Sequence, residues 1–225
     1  MPNNVFRRVL HIDHGGNIGS GFLIDVDKKQ YLVTARHLVE TMRGGGRIGI
    51  YFQREWVDAN VRLVGHASAD VDISVLSLER LLVSPSCTLN PSMGGLMYGQ
   101  DVFFLGFPHG FVGDVGDEND GFPLPFVKRA LVSCISNGEE RHVIYLDGHN
   151  NVGFSGGPVV FKHGNGNDFH VAAVISGYQT SVEPILDGDL RTRMVYEANT
   201  GIIIAHSIQS ALSIISENPV GFPIP

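Results

Sequence analysis

Apolar and β-branched residues fall along the chain in short runs, each closed by Gly, Asn, Asp or Pro. That rhythm predicts antiparallel strands joined by tight turns. Gly21-Phe22-Leu23-Ile24-Asp25-Val26 and Gln30-Tyr31-Leu32-Val33-Thr34 flank the polar Asp27-Lys28-Lys29 and form one predicted hairpin. Further strands are predicted at 47–53, 59–65, 72–78, 101–106, 126–135, 142–147, 158–162, 169–176 and 193–204. A second hairpin is expected around Lys162 to Asp168, where Asn165-Gly166 supplies residues that tolerate positive φ. Helical spacing occurs near His37 to Met42, and over 207–217, where Ile208, Ala211, Leu212 and Ile215 keep one face until Pro219. Many short strands with a terminal helix predict an all-β sandwich or a pair of small barrels. The break between barrels is expected in the Pro- and Ser-rich stretch Ser84 to Ser92.

Composition narrows the function classes. The 28 glycines and 11 prolines in 225 residues agree with frequent turns, and 43% apolar against 17% charged residues excludes a disordered chain. With 16 basic and 23 acidic side chains the net charge is −7, so the basic footprint of a nucleic-acid or anionic-membrane partner is missing. The chain has no apolar run of membrane-spanning length and no basic start followed by an apolar block. A cytoplasmic location is expected. Cys87 and Cys134 allow one disulfide at most and are expected as thiols of a reducing compartment. The acidic loop 113–121 lacks the residue order of a calcium loop and is expected to be solvated. His11 and His14 flank Asp13, but strand alternation would point them to opposite sides, so no metal ligation is expected there.

The chemistry concentrates in Gly153-Phe154-Ser155-Gly156-Gly157-Pro158. A serine hydroxyl attacks a carbonyl only when a base takes its proton and donors hold the oxyanion; flanking glycines let backbone N–H groups turn toward that oxyanion. The same letters satisfy the Gly-x-Ser-x-Gly elbow of α/β-hydrolases. An elbow serine must open a helix, whereas Pro158-Val159-Val160-Phe161 reads as a strand, and too little chain follows for further βα units. Two other segments complete a triad in chain order. Thr34-Ala35-Arg36-His37 sets a histidine just after a strand, and Asp72-Ile73-Ser74-Val75-Leu76 opens a strand with a carboxylate.

Together with Gly19-Ser20-Gly21-Phe22-Leu23-Ile24, these segments resemble the chymotrypsin/trypsin-like serine peptidases, and most closely the bacterial HtrA/Deg-type branch. Asp147, Asn151 and the 153–158 segment match that branch's Asp, Asn and Gly-Asn-Ser-Gly-Gly-Pro pattern, and Gly106-Phe107-Pro108-His109-Gly110 matches its turn. The resemblance covers about residues 17 to 215. It implies two six-stranded antiparallel β-barrels with a C-terminal α-helix: an N-terminal barrel over about 5–83, a C-terminal barrel over about 93–205 and the helix at about 207–217. It implies catalysis of peptide-bond hydrolysis through an acyl-enzyme, with His37 as base, Asp72 orienting it, Ser155 as nucleophile, and the Gly153 and Ser155 N–H groups as oxyanion hole. His149 falls at the base of the specificity pocket, and Ser176, Gly177 and Tyr178 along its wall. Protein or peptide substrates are implied, with no cofactor, no metal, no nucleic acid and no membrane; the sequence does not set an oligomeric state.

Two departures from the pattern matter. Phe154 replaces the residue that is Asp in secreted trypsins and Asn in the HtrA branch, so a freed N-terminal ammonium has no partner there, and activity without N-terminal trimming is expected. No PDZ module follows the helix, so chaperone-like or cage-forming behaviour is not expected. A silent trypsin-like binding module is the alternative, against which the intact triad letters speak.

Overall fold

A run such as Phe22-Leu23-Ile24 or Tyr31-Leu32-Val33 can be apolar at every position only if both faces of its strand are buried. The computed structural model, which describes residues 1–113, 119–137, 142–164, 166 and 168–225, shows how this is met. In the first sheet, β1 (Val9–His14), β2 (Asn17–Val26), β3 (Lys29–Thr34), β4 (Gly45–Phe52), β5 (Glu55–His66) and β6 (Ser74–Leu78) pair in the order β3-β2-β1-β4-β5-β6. β6 then pairs back onto β3, closing a six-stranded antiparallel barrel. The second sheet contains β8 (Asp101–Gly106), β9 (Phe126–Asn137), β10 (His142–Asp147), β11 (Pro158–Lys162), β12 (Phe169–Asp187) and β13 (Leu190–Ser207). They run β11-β8-β9-β10-β13-β12, and β12 returns to β11. Each closed ring removes its own unpaired edges.

Alternation sorts side chains between three cores. Leu10, Ile12, Leu23, Leu32 and Leu76 fill the first barrel; Phe104, Ile144, Leu146, Val159 and Phe161 fill the second. Their neighbours Val9, Phe22, Ile24, Tyr31, Val33 and Val75 point the other way and meet Leu105, Phe107, Val160 and Val174 in a layer between the barrels. The helix α2 (Gln209–Glu217) lays Ala211, Ile214 and Ile215 against that same layer. The connecting segment is held by the buried Arg8, whose guanidinium donates to Asp25 at 2.7 and 2.5 Å and to the Cys87 carbonyl at 2.6 Å. Asn90–Pro91 of that segment, β7, pairs in parallel with β12, and Phe222–Pro223, β14, pairs with β3.

The structure corrects several sequence expectations. β1 and the first half of β2 were not expected as strands, because His, Asp, Asn and Gly there mask the alternation. The helix expected over 37–42 is a single 3₁₀ turn, Arg36–Leu38, followed by turns. The strand expected at 72–78 begins at Ser74, since Asp72 is drawn into side-chain bonding with His37. β12 and β13 run on past 176 and start before 193 as a long two-stranded ribbon. A short helix, α1 (Asn3–Phe6), precedes β1. Residues 114–118 of the acidic loop, and Asn165 and Asn167 of the second hairpin, lie outside the described residues. Cys87 and Cys134 are free thiols.

His11 and His14 part as alternation requires. His14 bonds the Arg47 carbonyl at the surface, whereas His11 is buried, stacked on Phe107 at 4.6 Å and beside Trp56 and Tyr51. Burial pushes the His11 pKa from 6.5 down to about 4. The ring folds neutral, and between those two values the unfolded chain takes up the proton more readily than the buried ring. Its contribution to stability is therefore complete above about pH 6.5 and is lost as pH falls toward about 4, by about 3 kcal/mol. Thermal unfolding of wild type and His11→Phe between those limits should show the variant markedly less acid-sensitive; parallel pH profiles would contradict this.

Candidate active site

The residues converge where the two barrels face each other. His37 sits on the 3₁₀ turn that ends β3, and Asp72 on the turn before β6, the strand paired to β3. Both donors of His37 reach the same carboxylate: its backbone N–H lies 2.9 Å from Asp72 Oδ1 and its Nδ1 2.7 Å from Oδ2. A carboxylate facing Nδ1 demands a proton on that nitrogen, which leaves Nε2 with a free lone pair. The Ser176 hydroxyl, from β12, donates to Asp72 Oδ2 at 2.7 Å, so the second barrel also grips the carboxylate. The hydrogen bond to Asp72 raises the His37 pKa, against the lowering effect of burial. Burial pushes Asp72 upward, but the bonds from His37 and Ser176 outweigh it and hold it below its ordinary value.

Ser155 lies on the turn entering β11, half-buried, and its Oγ donates to the Ser176 carbonyl at 3.1 Å. Ser155, Ser176, Asp72 and His37 thus form one connected network across the two barrels. The turn itself is fixed through its carbonyls. His109 N–H donates to Val152 O at 2.8 Å, and Gly157 N–H to Phe154 O at 2.8 Å. In a trans peptide the N–H points opposite the carbonyl, so these two bonds set the directions of the Gly153 and Ser155 N–H groups. Neither of these N–H groups has an acceptor among the described residues. Two free, fixed donors beside a serine hydroxyl are what an oxyanion site requires.

Glycine is obligatory at three places in this turn: at Gly157 for space alone, a Cβ there lying 2.0 Å from Leu105 O, and at Gly153 and Gly156 for backbone conformation as well. Gly153 has φ +102°, and a Cβ there would lie 2.2 Å from Phe107 O. Gly156 has φ +82°, and a Cβ would lie 2.0 Å from Ser20 O. Phe154 is buried edge-on against Phe104 at 4.9 Å, as expected of an apolar ring in place of an acid.

Three contributors escape sequence reasoning. Ser20, buried on β2, donates its hydroxyl to Gly153 O at 2.7 Å and its N–H to Ser155 O at 2.8 Å, clamping the Ser155 turn from the opposite barrel. Thr34 Oγ1 donates to Ser20 O at 2.7 Å and steadies the clamp. The Gly-Ser-Gly setting of Ser20 was the available signal. Lys128, on β9, donates to the His149 carbonyl and to Asn151 Oδ1, the latter at 2.9 Å, and its Nζ stands 5.8 Å from the Phe154 ring centroid. Nothing in its local sequence marks it.

The other predicted positions are placed as follows. His149 is exposed and its ring makes no hydrogen bond among the described residues. Gly177 accepts from Asn150 Nδ2 at 3.2 Å, and Tyr178 is half-buried on β12 opposite Ile203.

Comparison with known proteins bears on the family and the fold. The family model for the trypsin-like peptidase domain matches residues 19–165. A search of curated protein sequences found no match. Among solved structures, the chain is similar to the inactive form of the Rv3671c protease of M. tuberculosis H37Rv, with 18% identity over 95% of this chain and 90% of that one, at a TM-score of 0.61. It is similar to the serine endoprotease from Yersinia pestis, with 18% identity over 96% and 65% of the two chains and a TM-score of 0.59. The HtrA-type protease AlgW with a tripeptide gives 18% identity, 96% and 62% coverage and a TM-score of 0.57. At such identities these likenesses establish the shared fold.

Proposed function

The chain belongs to the trypsin-like peptidase domain family, and from that premise we propose that it is a serine endopeptidase working through His37, Asp72 and Ser155. One observation carries the reading: Asp72 takes both donors of His37 and the Ser176 hydroxyl, leaving Nε2 a bare base, while the carbonyl of the same Ser176 holds Ser155 Oγ.

In the proposed cycle, Ser155 Oγ re-aims its O–H from the Ser176 carbonyl toward His37 Nε2, gives up the proton and attacks the substrate carbonyl. The Gly153 and Ser155 N–H groups receive the negative oxygen. His37, now a cation paired with Asp72, returns the proton to the leaving amine, and the acyl group remains on Ser155. A water activated by the same histidine then frees the acid and regenerates Ser155.

The Lys128 contacts bear on specificity. Its ammonium is bound to the His149 carbonyl and the Asn151 side chain at the expected pocket base, where a basic substrate side chain would meet a like charge. Small or medium uncharged residues are therefore expected before the scissile bond, and Lys or Arg excluded. Cleavage of a proteome-derived peptide library by wild type and Ser155→Ala tests function and preference together. Cuts after uncharged residues that vanish in Ser155→Ala are expected. Dominant cutting after Lys or Arg would overturn the specificity, and Ser155-independent cutting the mechanism.

A silent trypsin-like binding module is the second reading, and one observation favours it: the Ser155 hydroxyl bonds Ser176 O and not His37. A silent module leaves the library uncut by wild type.

A further inference from the structure

Away from the cleft, the hairpin joining β11 to β12 gathers two histidines and an aspartate. The register explains how. His163 N–H bonds Asp168 O at 2.9 Å, so the two residues face each other across the hairpin. Asp168 and His170 are two apart on one strand side, and Phe161 pairs with His170. All four side chains therefore share a face. The contacts agree: the His163 and His170 rings stack at 4.2 Å, His170 Nε2 is 3.1 Å from Asp168 Oδ2, and Phe161 lies 5.9 Å from the His170 ring.

We propose that His163, Asp168 and His170 form a binding site for a divalent transition metal ion, zinc by its chemistry. Two imidazoles and one carboxylate are the donor set of a three-ligand zinc site, and they disfavour calcium and magnesium, which seek oxygen-rich shells. One ligand atom from each residue already lies within 4.8 Å of the other two. Tetrahedral zinc with bonds near 2.0–2.1 Å needs ligand atoms about 3.4 Å apart, a spacing that His170 and Asp168 have reached at 3.1 Å. The remaining movement falls on His163. Its ring plane is 8° from that of His170, and lone pairs in parallel planes cannot meet at one ion, so His163 must rotate out of the stack. It is exposed and free to do so, whereas His170 is buried and holds its position. Asn90, whose amide stands 3.3 Å from His170 Nε2, is placed to turn its oxygen toward the ion as a fourth ligand.

The site stands apart from catalysis. β12 carries His170 at this end and Ser176 at the cleft, six residues or about 20 Å further along. Zinc here would staple the two strands at the turn end of the hairpin and tie it, through Asn90, to the segment that joins the barrels.

Calorimetric titration of the full chain, free of any histidine tag, with Zn²⁺ tests the site. One saturable ion per chain is expected, with affinity at least about tenfold lower in His163→Ala and in Asp168→Ala; both residues are exposed, so folding is not at stake. His37→Ala should keep the full stoichiometry, which separates this site from the catalytic histidine. Ca²⁺ should not compete. Absence of saturable binding, equal affinity in wild type and His163→Ala, loss of binding in His37→Ala, or effective competition by Ca²⁺ would each overturn the proposal.

Discussion

Asp72→Asn is expected to lower kcat about 10⁴-fold while the chain stays folded. The carboxylate accepts three hydrogen bonds, from His37 N–H, His37 Nδ1 and Ser176 Oγ. A carboxamide offers one oxygen and an NH₂ group. With the NH₂ toward Nδ1 it forces the imidazole proton onto Nε2, where the base must be bare. Ser155→Ala and His37→Ala should cost as much or more, and the losses should not add, because the three act as a unit. The pH dependence carries a second signature. His37 is raised chiefly by the hydrogen bond to Asp72, so kcat/KM should rise with pH about a midpoint above the ordinary histidine value. In Asp72→Asn that midpoint should fall. Stability runs the opposite way: the His37–Asp72 pair stabilises fully below the ordinary histidine value and loses its contribution as pH rises through the raised one. A kcat for Asp72→Asn within tenfold of wild type would mean that another group orients His37.

Gly153→Ala is expected to reduce kcat by about 10²–10³-fold with KM little changed. At φ +102°, with Phe107 O only 2.2 Å from the added Cβ, the backbone must rotate. Rotation breaks the directional set imposed by His109 N–H on Val152 O and by Ser20 Oγ on Gly153 O. The Gly153 N–H then leaves the point where the oxyanion forms, so the loss falls on the transition state. Kinetics normalised to folded protein, with the unfolding midpoint measured alongside, separate this from simple destabilisation. Unchanged kcat per folded molecule would remove Gly153 from the oxyanion site.

Much of this was legible in the sequence. The strands whose two faces are both buried, such as Phe22-Leu23-Ile24, announce themselves as apolar runs. The residues around Ser155 are constrained so tightly by close backbone approach that only Gly fits at 153 and 156, and this made the motif readable. What escaped reading depends on distance along the chain. Ser20 bonds a carbonyl 133 residues away, and Lys128 bonds a loop 21 residues on; neither partner can be read from the residue's own neighbours in the sequence. β1 escaped because His11 occupies a core position, a histidine made acceptable by aromatic neighbours that only the fold supplies. His163 lies on one arm of the hairpin and Asp168 and His170 on the other, and only the hairpin register brings them to one face.

The central claim is that Ser155 is an activated nucleophile in the chain as it stands. A fluorophosphonate probe reports this without a known substrate, because it reacts only with a serine supplied with a base and an oxyanion site. The measurement is probe labelling, read by intact mass and peptide mapping, of the 225-residue chain carrying an uncleavable N-terminal tag, beside Ser155→Ala and His37→Ala. The account predicts one adduct on Ser155 in the tagged wild type, none in Ser155→Ala and strongly slowed labelling in His37→Ala. An unlabelled wild type, or labelling that persists in Ser155→Ala, would contradict it.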